Sequence, residues 1–130
     1  MKRPRWIDRR ALLLLHAETL AEHGGLPGLR DVAALEAALV RPQHVDAYEP
    51  RADAARLASA YGFGIVRDHP FNDGNKRAGF LAIGLFLALN AYELVVDPVE
   101  AVETILALAA GDLTEEDLAA WTRRHMVRKK

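Results

Sequence analysis

The run Arg67-Asp68-His69-Pro70-Phe71-Asn72-Asp73-Gly74-Asn75-Lys76-Arg77 gathers side chains able to do chemistry more densely than any other part of the chain. His69 supplies an imidazole, which accepts a proton near neutral pH. Asp73 supplies a hard oxygen ligand suited to Mg²⁺ beside a phosphate. Gly74, Asn75 and Lys76 fall where a helix should begin, so their backbone N–H groups would face outward at the positive end of its dipole and favour an anion. Arg77 adds a guanidinium that can grip a phosphate with two parallel N–H bonds. A base, a carboxylate, an amide nest and two cations together describe phosphoryl or nucleotidyl transfer. The plain alternative is that Asn72 or Asp73 merely caps the helix, His69 packs in a loop and the cations are solvated. That alternative explains the cap and leaves the other groups without a use. From average residue usage, H-P-F-x-D-G-N-K-R arises by chance at on the order of one in 10⁹ starting positions or rarer.

The elements that must position this loop can be read from its surroundings. Asp8 caps a first helix that runs through Leu12 to Leu15 and stops at Gly24-Gly25, after which GLPGLRD is a Gly/Pro loop. Asp31 caps a second helix that ends near Arg41-Pro42, and an irregular stretch through Tyr48 and Pro50 leads to a third carrying Leu57, Tyr61 and Ile65 on one face. That helix stops near Asp68, because Pro70 pushes the backbone of His69 out of the α region. The fourth begins after Asp73-Gly74 and reaches about Asn90. Its apolar residues lie on every side, so it is expected to be the most buried, with Gly79 and Gly84 marking close approach of a neighbour. A short extended piece at Glu93 to Val96 precedes a fifth helix with Asp97 at its N-cap and Pro98 in its first turn, ended by Gly111. Thr114 followed by Glu115-Glu116-Asp117 opens a sixth.

Composition narrows the remaining classes. The chain of 130 residues is expected to form one domain, 1–130, and its 51% apolar and 27% charged residues are those of an ordinary globule. With no cysteine, thiolate nucleophiles, disulfide scaffolds and Cys-ligated metals are excluded, and a reducing cytoplasm is the expected home. The basic N-terminus followed by Ala11 to Leu15 imitates a signal peptide, but His16, Glu18 and Glu22 interrupt the apolar run. Ala78 to Leu89 is far short of the roughly 18 residues of a membrane span. Lys2, Arg3, Arg5, Arg9 and Arg10 crowd one end and Arg123, Arg124, Arg128, Lys129 and Lys130 the other, around an acidic body with net charge -1 overall. These basic ends are expected to be solvated rather than to bind nucleic acid.

HPFNDGNKR resembles the signature loop of the Fic/Doc family. The match extends through GGLPGLRD, the RPQ at Arg41 to Gln43, LFLALNAYEL and GDLTEEDLAAW, and is closest to the Doc branch, toxins of bacterial toxin–antitoxin pairs. The resemblance implies a compact all-α bundle of about six helices, whose loop and following buried central helix hold Mg²⁺ and ATP. Carried onto this sequence, it makes His69 the general base, Asp73 the Mg²⁺ ligand, and Gly74, Asn75 and Lys76 the phosphate holders. Arg77 would stabilise the transferring charge, and Arg67 could reach phosphate from the end of the third helix. Lys76 stands where most Fic proteins have Gly, and Phe80 where they have a second Arg. Doc-type proteins with this pattern transfer the γ-phosphate, whereas typical Fic proteins transfer AMP, so the resemblance implies a kinase acting on a Ser or Thr hydroxyl of elongation factor Tu. No Ser or Thr has a Glu four residues on, so the self-inhibitory Fic motif is missing. Inhibition would come from a Phd-like antitoxin whose disordered tail folds as a helix into a groove.

The other histidines and both tryptophans carry no chemistry at this level. His16, among Leu12, Leu13 and Leu20, is expected to be a satisfied, partly buried histidine, and His23 suits a helix end. His44 and His125 have no metal-ligand spacing, while Trp6 and Trp121 are expected to pack. A catalytically silent module that only holds a nucleotide or a partner helix is the reading from another class.

Overall fold

The computed structural model describes residues 3–130; Lys2, one of the basic N-terminal residues, lies outside them. The chain forms α1 (Arg9–His23), α2 (Val32–Tyr48), α3 (Ala54–Asp68), α4 (Asn75–Leu89), β1 (Tyr92–Leu94), α5 (Pro98–Ala110), α6 (Glu115–His125) and β2 (Met126–Arg128). Each helix start but one has a side-chain cap. Asp8, Asp31, Asp53 and Asp97 accept N–H bonds in the first turns of α1, α2, α3 and α5, and Thr114 with Asp117 forms a reciprocal capping box on α6. Only α4 starts without one, at Gly74.

The architecture is the expected all-α bundle, and α3 rather than α4 is its most completely buried helix. Leu57, Ala58, Tyr61, Ile65 and Val66 of α3 meet Leu12, Leu35, Ile83, Phe86, Leu87 and Leu118 from the surrounding helices. On α4 only one face is fully covered, and Phe80 and Leu81 are partly exposed because they look into a cavity. The two helices cross where both are small. A Cβ on Gly79 would lie 2.6 Å from Val66 Cγ2 and 3.1 Å from the Gly62 carbonyl, and one on Gly62 would lie 2.6 Å from Ile83 Cδ1. Gly84 does not mark a close approach, since a Cβ there meets nothing within 4 Å. The helix that presents the chemical loop is thus seated against the core at Gly79, about one turn into α4.

Two other expectations are corrected. The second helix does not end at Pro42 but continues to Tyr48. An interior proline leaves the Ala38 carbonyl without its donor at a cost of about 3 kcal/mol. Burial of Ala38, Leu39 and Pro42 on the core side, with Val45 packed behind them, offsets that cost. The extended piece lies slightly earlier than read, and it has a partner: Tyr92 pairs with Arg128, Glu93 with Val127 and Leu94 with Met126 in an antiparallel register. The C-terminal basic run is therefore not wholly a solvated tail. Arg128 lies 5.4 Å from the Tyr92 ring centroid, and Arg123 binds Asp53. At the other end Arg9 pairs with Glu36. Trp6 packs against Phe86 and Trp121 is buried, as expected. Among the described residues no helix is long and apolar enough to cross a membrane.

Asp53 joins α3 to α6. Its carboxylate caps Arg56 N–H at 2.9 Å and accepts Arg123 Nε and Nη2 at 2.7 and 2.9 Å. The Arg123 bonds hold the carboxyl below its ordinary value of 3.8, against partial burial that acts the other way. A depressed folded value means that this contribution is present above the unfolded value and disappears as pH falls through the folded one. Asp53→Asn keeps an oxygen for the cap and loses the ion pair. It is expected to lower the melting temperature modestly at about pH 7, with the gap from wild type closing below about pH 4. A gap that stays constant across thermal melts over that range would show that the ion pair contributes nothing.

Candidate active site

The chemical loop is held between three elements. α3 ends at Asp68, and His69 caps it with its N–H on the Ile65 carbonyl at 3.2 Å. The backbone of His69 is left-handed, φ 51° and ψ 59°, outside the right-handed α region as the following proline led one to expect. Such a conformation in a non-glycine residue costs of order 1–3 kcal/mol and persists only where surrounding bonds enforce it. Here Arg30 enforces it. Its Nε–H donates to the His69 carbonyl at 2.6 Å, its Nη2–H to the Asp68 carbonyl at 2.7 Å, and its backbone N–H to the Pro70 carbonyl at 2.8 Å. The segment around Arg30 then runs antiparallel to the loop. Leu29 bridges Phe71, Asn72 N–H donates to the Gly28 carbonyl at 3.1 Å, and Asn72 Nδ2 to the Pro27 carbonyl at 2.9 Å.

Beneath the loop, Phe71 is 1% exposed and stacks on His16 of α1, ring centroids 3.7 Å apart and planes 9° from parallel. His16 Nε2 donates to the Asp73 carbonyl at 2.7 Å, so this histidine is satisfied, as expected, and also fixes the turn. Asn75 folds back on the loop, its Oδ1 accepting Phe71 N–H and its Nδ2 donating to the Phe71 carbonyl, both at 2.9 Å. Its side chain is thereby spent, and only its backbone N–H faces a ligand. Asp73 directs Oδ2 at the N–H of Leu26, 2.6 Å away.

What this scaffold presents is a bare helix start. The first intrahelical bond of α4 runs from Ala78 N–H to the Gly74 carbonyl, so the N–H groups of Asn75, Lys76 and Arg77 have no helical acceptor, and no side chain caps them. They open on a cavity of about 910 Å³ whose polar end holds His69, Asn72, Asp73, Lys76 and Arg77 with Thr19 and His23 of α1. Its other end is apolar, formed by Phe80 and Leu81 of α4, Leu94, and Val102, Ile105 and Leu106 of α5. Lys76 and Arg77 are exposed and form no ion pair among the described residues. The chemistry available is binding of a polyanion at the amides, with a base and a carboxylate at its side.

The structure thus brings His69, Asp73, Gly74, Asn75, Lys76 and Arg77 to one cavity and leaves Arg67 out of its wall. The Arg67 guanidinium lies 5.4 Å from the Phe63 ring centroid, sharing that ring with Arg41. Among the described residues no three His, Asp or Glu side chains gather into a metal cluster. Sequence reasoning missed Arg30 as a support of His69 and Thr19 as part of the wall. The one available signal for Arg30 was a long cation placed between a Gly/Pro loop and the cap residue Asp31, which is an odd place for a merely solvated charge.

Comparison with known proteins agrees with this geometry. The Fic/DOC family model matches residues 6–87, from before α1 to near the end of α4, which includes every element that holds the loop. The chain is 33% identical over 120 residues to the protein kinase doc of Escherichia phage P1, covering 92% of this chain and 94% of that protein. It is 36% identical over 104 residues to the toxin Doc of Mycolicibacterium smegmatis, covering 75% of this chain and 77% of that protein. With the signature loop, the helices that clamp it, a family match over residues 6–87 and one relative matched over nearly the whole length, the chain belongs to the Fic/Doc family, on its Doc branch.

Proposed function

We propose that this protein is the toxin of a toxin–antitoxin pair and a Doc-type kinase that moves the γ-phosphate of ATP to a Ser or Thr hydroxyl of elongation factor Tu, arresting translation. The observation that carries the reading is the uncapped start of α4 beside an exposed His69 and Asp73 in one cavity. The kinase name of the phage relative supports phosphoryl rather than AMP transfer. Phe80 supports it too: it lines the cavity as an apolar ring where typical Fic proteins place a second arginine.

In this reading the amides of Asn75, Lys76 and Arg77 seat the phosphates, and the Lys76 and Arg77 side chains neutralise them. His69 takes the proton of the target hydroxyl as that oxygen attacks the γ-phosphorus, the bond to the bridging oxygen breaks, and ADP leaves. Arg77 balances the charge that spreads over the transferring oxygens. The donor set fits Mg²⁺ in the manner usual for nucleotide sites, one carboxylate with the substrate phosphates completing the shell. Asp73, whose carboxylate also accepts Leu26 N–H, would be the residue to hold the ion. When bound, Mg²⁺ would neutralise phosphate charge.

A Phd-like antitoxin would find an apolar strip suited to an amphipathic helix. Val99, Val102 and Leu106 of α5 are exposed at helical spacing, and the last two continue into the apolar end of the cavity.

The test is incubation with elongation factor Tu, Mg²⁺ and ATP labelled at either the α- or the γ-phosphate. Label from the γ-position alone is expected; label from the α-position would restore the AMP-transferase reading. Lys76→Gly separates cause from coincidence. Retained γ-transfer without AMP transfer in that variant would show that Lys76 does not decide which group moves.

A further inference from the structure

Thr19 lies on α1 between His16 and His23, outside the signature loop and within the cavity wall. The residue is 4% exposed, and its hydroxyl makes no hydrogen bond to another described residue. A buried threonine in a helix ordinarily returns its hydroxyl to the carbonyl four residues back, as Thr122 does to Leu118 at 2.8 Å. Thr19 makes no such bond. Among the described residues the sealed side-chain atom without a partner is Arg41 Nε, so the Thr19 hydroxyl, bonded to no protein group, is not sealed off, and its residue borders the cavity on which the loop opens. The face of α1 that carries it is pressed against the residue just before the bare amides. A Cβ on Gly74 would lie 3.4 Å from Leu20 Cδ2 and 3.6 Å from His16 Nε2, the neighbours of Thr19 on that face.

We propose that Thr19 is a phosphate-binding residue, its hydroxyl donating to the polyphosphate chain of the nucleotide seated on the start of α4. The inference rests on the nucleotide reading above and extends it to α1, which none of the motif residues occupies. Bound phosphate supplies the acceptor that the fold withholds. The hydroxyl then acts from the side opposite the loop, so the nucleotide is held between α1 and α4.

Three variants test this by titration calorimetry with ADP and Mg²⁺, which needs no turnover. Thr19→Val keeps the branched shape and removes the hydroxyl. It is expected to weaken ADP binding about ten- to a hundredfold, the range for a hydrogen bond to a charged group. Its ligand-free melting temperature should be equal to or above wild type, because no existing bond is lost. Thr19→Ser should recover most of the affinity, and Thr104→Val, on α5 away from the loop, should bind as wild type does. ADP binding by Thr19→Val at wild-type strength would overturn the proposal, as would Thr19→Ser binding as weakly as Thr19→Val, since packing would then be the cause. Wild type that binds no ADP would instead overturn the nucleotide reading, and this inference with it.

Discussion

Replacing His69 by Ala is expected to slow group transfer by about 10²- to 10⁴-fold, the usual span for a general base, and Arg30→Met to reproduce about 10² of that loss without touching substrate. Arg30 holds the two carbonyls of Asp68 and His69 with one guanidinium. Without it, the left-handed backbone at His69 loses the bonds that offset its strain, and the imidazole swings from its place beside the amides. The phosphate site itself is built from α4, so the Michaelis constant for ATP should stay near wild type while the rate falls. Arg30→Lys should recover little, since an ammonium cannot span two carbonyls as a planar fork does. The decisive measurement is the double variant in single-turnover kinetics. If Arg30 acts only through His69, Arg30→Met adds no further loss in a His69→Ala background. Losses that multiply would assign Arg30 a separate role and refute the positioning argument.

How much of this could be read from the chain depended on whether the determining contact was local. Helix starts were legible because a cap is a short-range event: Asp8, Asp31, Asp97 and Thr114 each bond an N–H two or three residues on. The loop from His69 to Arg77 was legible for the same reason, its groups being consecutive. Errors arose where distant residues decided. Pro42 is a local stop signal overridden by burial against α3, and Gly84 has the same local cost as Gly79 but no helix crossing it. Pro70 signals that the helix ends at His69, but the left-handed form His69 then takes is held by Arg30, 39 residues away. Asn75, a natural phosphate holder by type, has its side chain claimed by Phe71, a preference that only the folded turn creates. The pairing of β1 with β2 likewise joins segments with no pattern in common, which is why the basic C-terminus read as a tail.

Phe71 carries no chemistry, yet its truncation should have the largest effect on stability of any residue in the loop. The ring is buried in the core, flat against His16, and its backbone is bonded on both sides by Asn75. Phe71→Ala removes a fully buried aromatic, a loss of about 3–5 kcal/mol from a domain whose whole stability is of order 5–15 kcal/mol. For a chain of this size that corresponds to a fall of about 10–20 °C in melting temperature. The cavity would open where His16 meets the Asp73 carbonyl, so the turn that aims Asp73 and begins α4 should loosen before the α3–α4 core does. Hydrogen exchange is therefore expected to rise first at the bonded amides of Phe71, Asn72 and Ala78, in a variant that remains folded at low temperature. Phe71→Leu separates anchoring from aromatic contact. It keeps most of the buried volume and loses the stack, so it should cost less than about 1.5 kcal/mol and retain most of the transfer rate. A Leu variant that is folded but as slow as His69→Ala would show that the His16 stack, and not burial, sets the geometry of the loop.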